Sequence, residues 1–201
     1  MSSFYAALTL LQPREWILLA RFRFSEVAIA GACAVSVLFF GILPGVVIAI
    51  ALSIAEFMAR LSHPHEAVLG FVQQKAGMHD IDDHDTATTI PGLLVFRYDA
   101  PLFFLNAYDF FYKFSGALAP DTRVVILNME ANVELDTTAL NILMELHDRL
   151  AADGVDVWLA RVKNDVLIPM RKHGVAAVIE EENMYPTLPT AVNEYRRQYQ
   201  K

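Results

Sequence analysis

One cysteine, Cys33, is all the thiol that this 201-residue chain holds, which excludes an intramolecular disulfide and any cysteine-rich zinc site. Glycine-rich phosphate loops, an HExxH pair and a nucleophile elbow are all missing, and no histidine stands near Cys33 in sequence, so no residue pattern supports an enzyme and no catalytic residue or cofactor is expected. Positive charge is scarce too. Sixteen Lys and Arg face 23 Asp and Glu, for a formal net charge of -7, whereas the electrostatic footprint of a nucleic-acid binder is basic. Nor is there a secretory signal pattern: Arg14, Arg21 and Arg23 follow the first apolar patch, residues 4–11, instead of preceding it, and no small-residue cleavage site closes the next patch, residues 16–20.

What the chain has in quantity is apolar material. It is 55% hydrophobic with a mean hydropathy of +0.34, high for a protein that lives wholly in water. Residues 27–54, VAIAGACAVSVLFFGILPGVVIAIALSI, include no Asp, Glu, Lys, Arg or His, and the apolar core extends to 57. As one helix the stretch would be roughly 40 Å long, more than the ~30 Å of a bilayer's hydrocarbon core. Gly41, Pro44 and Gly45 interrupt it, so a break is expected at 41–45. Each half is short for a span of its own. Arginines flank both ends, so the positive-inside bias is silent, and a return to the same side is the preferred reading. Residues 1–61 are therefore expected to form a membrane-embedded tail with the lipid bilayer as its partner, and residues 62–201 a separate domain.

In that second part short apolar runs alternate with amphipathic helical patterns. Residues 68–72 read as a strand, and residues 73–89 as a polar, acidic, mobile loop. The loop's His79, Asp80, Asp82, Asp83, His84 and Asp85 fit no metal-ligand template. Residues 93–98 form the next strand. Asn106 then stands where an N-cap would open a helix with Phe110, Phe111, Phe114 and Leu118 on its apolar face. The centre of the domain is residues 123–150: the β-branched run Val124, Val125, Ile126, Leu127, ended by Asn128, then Asp136 as N-cap, then a helix with Ala139, Ile142, Leu143, Leu146 and Leu150 on one face. Leu135 and Leu140 suit a hydrophobic staple. Residues 155–160 are another strand, Asp165 caps a short helix closed by Gly174, a short final strand follows 175–179, and residues 190–200 form an amphipathic helix with Ala191, Val192, Tyr195 and Tyr199 inward. Strands alternating with helices imply an α/β fold on a largely parallel or mixed sheet.

Two groups of residues are candidates for a site. Asp136, Thr137 and Thr138 open a helix, where free N–H groups and the helix dipole favour an anion or a phosphate carried by Thr137, although capping alone explains them. Arg161 and Lys163, with Arg171 and Lys172 further on, follow a strand's C-terminal end, where open α/β sheets bind ligands; they are candidate nucleotide or anion contacts. Apart from these, Arg97 and Asp99, two apart at the end of a strand, read as strand-end surface groups; they face one way, so that a weak local ion pair between them is the alternative.

Residues 124–128 and 135–140, with the Asp-Thr-Thr-Ala turn, resemble the STAS domain found in bacterial anti-sigma-factor antagonists and at the C-terminus of SulP-type anion transporters. Thr137 matches the serine that is phosphorylated in the antagonists, and Ala139 stands where they usually carry glycine. The broken apolar pair followed by Leu61-Ser62-His63-Pro64-His65 and Ala67-Val68-Leu69-Gly70 resembles the join between the SulP membrane domain and its STAS domain. Arg97-Tyr98-Asp99 leading through Ala100-Pro101-Leu102-Phe103-Phe104 to Asn106 is similar to the SulP STAS signature. The resemblance implies the C-terminal portion of a sulfate or related anion permease in the inner or plasma membrane, with its STAS domain facing the cytoplasm. It implies roles in dimerisation and regulation, and as partners the remaining transporter helices, a second copy, or a regulatory protein on the helix of residues 136–150. The alternative is a membrane-tethered partner-switching module controlled through Thr137. Because the many membrane helices that house the family's substrate site are not in the sequence, the chain is not expected to transport alone.

Overall fold

The computed structural model describes residues 24–199; the apolar patches at 4–11 and 16–20 lie outside the described residues. The chain divides into two compact units, Met1–Arg60 and Leu61–Lys201.

In the first unit, helix α1 spans Phe24–Phe40 and helix α2 spans Ile42–Ser62. Only Gly41 separates them, at φ +89°, a left-handed conformation that glycine adopts without a Cβ penalty. There the chain folds back on itself. A Cβ on Gly45 would lie 2.8 Å from the Cα of Val37, and at the far end Arg60 Nη2 donates to Ser25 Oγ at 3.2 Å, so the two helices run antiparallel at close range. Pro44 falls in the first turn of α2, where a missing N–H leaves no hydrogen bond unmade. α2 is long and apolar enough to cross a membrane; α1, at 17 residues, is shorter. Their large side chains are bare: Leu38 is 84% exposed, Phe39 78%, Ile42 76% and Leu43 77%. So large an exposed apolar surface marks contact with lipid or protein.

The second unit is a six-stranded mixed sheet in the order β2-β1-β3-β4-β5-β6. Its strands are β1 Glu66–Phe71, β2 Met78–Asp80, β3 Leu93–Tyr98, β4 Val124–Asn128, β5 Asp156–Ala160 and β6 Met184–Tyr185. β3 to β6 run parallel, while β1 is antiparallel to both of its neighbours. The helices are α3 Ala107–Ala117, α4 Thr137–Ala152, α5 Asn164–His173, α6 Val175–Ile179 and α7 Leu188–Tyr199.

Period-two alternation sends Leu94, Phe96, Val125, Leu127, Val157 and Leu159 to one face, under α3 to α6, and Leu93, Val95, Val124, Ile126 and Trp158 to the other, with α7. β4 is buried along its whole length, as a strand covered on both faces must be. Phe114 of α3 is fully buried, edge-to-face with Phe96 at 5.4 Å between ring centroids. The expected α/β architecture is present.

Several local expectations are corrected. Asn106 occupies the N-cap position of α3 but its side chain does not cap it. Its Oδ1 accepts from Phe103 N–H at 3.0 Å, and its Nδ2 donates to the carbonyls of Pro101 and Leu61. The N-cap position of α5 is Lys163, with Asp165 inside the first turn. The segment 73–89, read as a loop, holds strand β2. Its polarity hid the strand because Asp80, only 6% exposed, is buried with its carboxylate satisfied: Oδ2 lies 2.9 Å from His65 Nε2, and Oδ1 accepts from Asp82 N–H at 3.0 Å. Among the described residues no group of His, Cys, Asp and Glu could hold a metal ion.

Candidate functional site

Asp136 is the residue on which two segments of the sheet's helical face close. It sits at the N-cap of α4 in extended backbone, and its Oδ1 accepts from Ala139 N–H at 2.8 Å. Oδ2 accepts from Phe104 N–H at 2.7 Å, thirty-two residues earlier in sequence. Around that contact, Leu102 N–H donates to the Glu134 carbonyl and Asp136 N–H to the Leu102 carbonyl, zipping the Ala100-Pro101-Leu102-Phe103-Phe104 stretch onto the α4 entry. Leu135 and Leu140 are both buried beside it. Thr137 is exposed as the first residue of α4, and Thr138 is half-buried. The carboxylate of Asp136 is thus fully used in holding the turn together.

A second centre pins residues 61–66, the segment that leads into β1. Lys113 Nζ on α3 donates to the Pro64 carbonyl at 2.9 Å and meets Glu66 Oε2 at 2.5 Å and Asp109 Oδ2 at 3.2 Å. Burial pulls the Lys113 ammonium down, but the bonds from Glu66 and Asp109 outweigh it and leave its pKa raised. Tyr98 at the end of β3 donates its O–H to Asp109 Oδ2 at 2.9 Å, and burial first, then that bond, push its pKa well above the ordinary tyrosine value. His63 Nε2 lies 4.0 Å from Asp109 Oδ1. His63 and Tyr98 fall within the two motifs quoted from the sequence, but no spacing joins them to Glu66, Asp109 and Lys113; the fold brings these positions together.

The third centre is a cavity of about 360 Å³ on the α7 face, at the C-terminal ends of β3, β4 and β5. Arg97, Asn128, Glu130, Arg161 and Arg196 line it above Leu69, Phe71, Met78, Leu188 and Val192. Arg97 and Asp99 do not stand as separate surface groups but form an ion pair, in which Nη2 donates to Oδ2 at 3.0 Å and Nε lies 2.7 Å from Oδ1 without a hydrogen bond. Arg161 adopts φ +61°, its N–H donating to the Tyr185 carbonyl and its Nη2 lying 3.0 Å from Glu130 Oε1. Lys163 does not line the cavity; its Nζ donates to the Glu130 carbonyl at 2.6 Å. Arg171 is farther removed, in a two-pronged bond with Glu181 that raises its own pKa and lowers that of the carboxylate. The basic residues grouped by sequence are therefore divided by the structure. Arg97 and Arg196 were missed as cavity residues, yet β3 alternation, which sets Arg97 on the face of Leu93 and Val95, was a usable signal. His147 is half-buried at the edge of α4, with Nδ1 3.4 Å from Asp148 Oδ1.

A sheet of this order with an α4 entry built on Asp-Thr-Thr defines a STAS domain. The STAS domain model matches residues 86–191, and the chain belongs to that family. It is 46% identical over 196 residues, 96% of its length, to a probable sulfate transporter of Mycobacterium tuberculosis, and covers 35% of that protein. Against sulfate transporter 1.2 of Arabidopsis thaliana it is 25% identical over 167 residues, covering 78% of the chain and 26% of the relative. The chain thus spans about a third or less of these curated relatives. Among solved structures it is similar to the murine solute carrier 26 family member A9 anion transporter in the inward-facing state, with a TM-score of 0.83 at 20% identity, over 94% of this chain and 31% of that one. It is also similar to a sulfate transporter family protein from Wolinella succinogenes, with a TM-score of 0.52 at 19% identity, over 61% of this chain and 100% of that one. At those identities the structural likeness shows the fold. The resemblance to SulP transporters read from the sequence is shown by these similarities, and the relatives are transporters, not known enzymes.

Proposed function

We propose that this chain serves as the C-terminal regulatory and dimerisation portion of a SulP-type sulfate or related anion transporter. The hairpin of α1 and α2 lies in the inner or plasma membrane, and the STAS domain faces the cytoplasm. The observation that carries the reading is the bare apolar surface of α1 and α2, followed after only His63, Pro64 and His65 by a strand of the STAS sheet. Two apolar helices cannot build a substrate site of the kind found between the repeated halves of a transporter. Transport therefore requires further membrane helices, and the partners of this portion are those helices, a second copy of the chain, or a regulatory protein on α4.

A chimera tests this. The chain replaces the matching third of the Mycobacterium tuberculosis relative, and sulfate uptake is measured in cells that lack their own permease. The chimera is expected to restore uptake and the chain alone to give none. Uptake by the chain alone, or a well-expressed, membrane-inserted chimera that stays inactive, would contradict the proposal.

A second reading, a partner-switching module controlled by phosphorylation, is favoured by one observation: Thr137 is exposed in the first turn of α4, where a phosphate would meet free N–H groups. Incubation with the cognate kinase, followed by partner binding with and without Thr137→Ala, separates the two readings. Unchanged binding by the variant removes the second.

A further inference from the structure

We propose that the cavity between α7 and the C-terminal ends of β3, β4 and β5 binds an amphiphilic organic anion: one sulfonate- or carboxylate-sized head on a flat apolar body. Its volume of about 360 Å³ falls at the lower end of the ~300–1,000 Å³ typical of small-molecule sites. The floor is apolar, with Leu69, Leu188 and Val192 buried and Phe71 and Met78 half-buried. The rim is cationic, three arginines against the single carboxylate of Glu130, in a chain whose formal net charge is -7.

The arginines are not equivalent. Arg97 is neutralised by Asp99 and Arg161 by Glu130. Among the described residues Arg196 makes no ion pair; its guanidinium lies over the Phe71 ring at 4.7 Å from the centroid. That geometry holds one uncompensated planar cation at the edge of an apolar slot, with two N–H edges free for a planar or tetrahedral oxyanion. Arg161 is held at its positive φ beside the same opening, a strained backbone of the kind that clusters at ligand sites. The site accounts for one net charge, so a monoanion with an apolar body fits it better than a triphosphate, for which the chain offers no glycine-rich cradle.

The probe is naphthalene-2-sulfonate, titrated by calorimetry into the full chain in detergent micelles, with empty micelles subtracted. Binding in the range of tens to hundreds of micromolar is expected, the modest affinity of a small ligand with a single charged contact. Arg196→Glu should weaken it at least tenfold, and Met78→Trp, which fills the floor, should remove it, while circular dichroism shows both variants folded. Neutral 2-naphthalenemethanol and inorganic sulfate should each bind at least tenfold more weakly than the probe. Equal heats for wild type and Arg196→Glu would mean partition into the micelle and would overturn the proposal. Sulfate binding as tightly as the probe would leave a simple anion site, and ATP or GTP binding more tightly with competition would make it a nucleotide site; either result overturns it.

Discussion

Asp136 is the most economical place to test how the STAS unit closes. Its carboxylate makes two bonds that serve different purposes, one to Ala139 N–H within α4 and one to Phe104 N–H across 32 residues. Replacing it by alanine removes the cap, at about 1 kcal/mol. The lost bond to the loop amide, beside a Phe104 that is 63% exposed and so open to water, adds about 1 kcal/mol more. The sum of about 2 kcal/mol corresponds to roughly a 30-fold shift in the opening equilibrium. Asp136→Asn keeps an oxygen for Ala139 but presents an amide nitrogen to Phe104, so it should lose about half as much. Hydrogen exchange of the full chain reads both bonds separately. Protection should fall in peptides covering residues 134–142 and 101–106 for the alanine variant, and chiefly in 101–106 for the asparagine variant. Unchanged exchange at 101–106 in both variants would refute the view that Asp136 ties the two segments together.

Other expectations follow from the same geometry. Gly45→Leu drives a side chain into the backbone of Val37 and should abolish the hairpin's close packing, seen as loss of monodisperse protein on size exclusion in detergent, whereas Gly31→Ala, with nothing within 4 Å, should leave it intact. Phe114→Ala should destabilise the STAS unit by about 3–5 kcal/mol in urea unfolding, since a fully buried ring leaves a cavity. Because the Tyr98 pKa is raised in the folded chain, its contribution to stability is complete below the unfolded value of 10.0 and is lost as pH rises above it; Tyr98→Phe should flatten the alkaline limb of a stability-against-pH curve, and an unchanged limb would refute that assignment. Lys113→Ala leaves Glu66 and Asp109 facing each other and should raise exchange in residues 61–68 more than anywhere in α4.

Much of the fold was legible because its elements carry strong local signals. β4 is a run of β-branched and aliphatic residues, α4 has a cap and a staple, and Gly174 takes the left-handed conformation that ends α5. The hairpin's turn was legible to within a few residues, since Gly41 does alone what Gly41, Pro44 and Gly45 were expected to do together. What stayed hidden depends on contacts distant in sequence. Asn106 reads as a cap until Pro101 and Leu61 are seen to take its amide. β2 reads as loop because its stabilising partners, His65 and the β1 edge, lie elsewhere. Likewise the division of Arg161 from Lys163 and Arg171 is set by where Glu130 and Glu181 happen to fall.

Membrane attachment through α1 and α2 is tested most directly by carbonate extraction followed by proteolysis. The expressed chain is expected in the carbonate-washed pellet, with its STAS domain cut only when protease is added from the cytoplasmic side. Recovery of the chain in the supernatant, or protection of the STAS domain from cytoplasmic protease, would contradict an anchored STAS domain of an anion transporter.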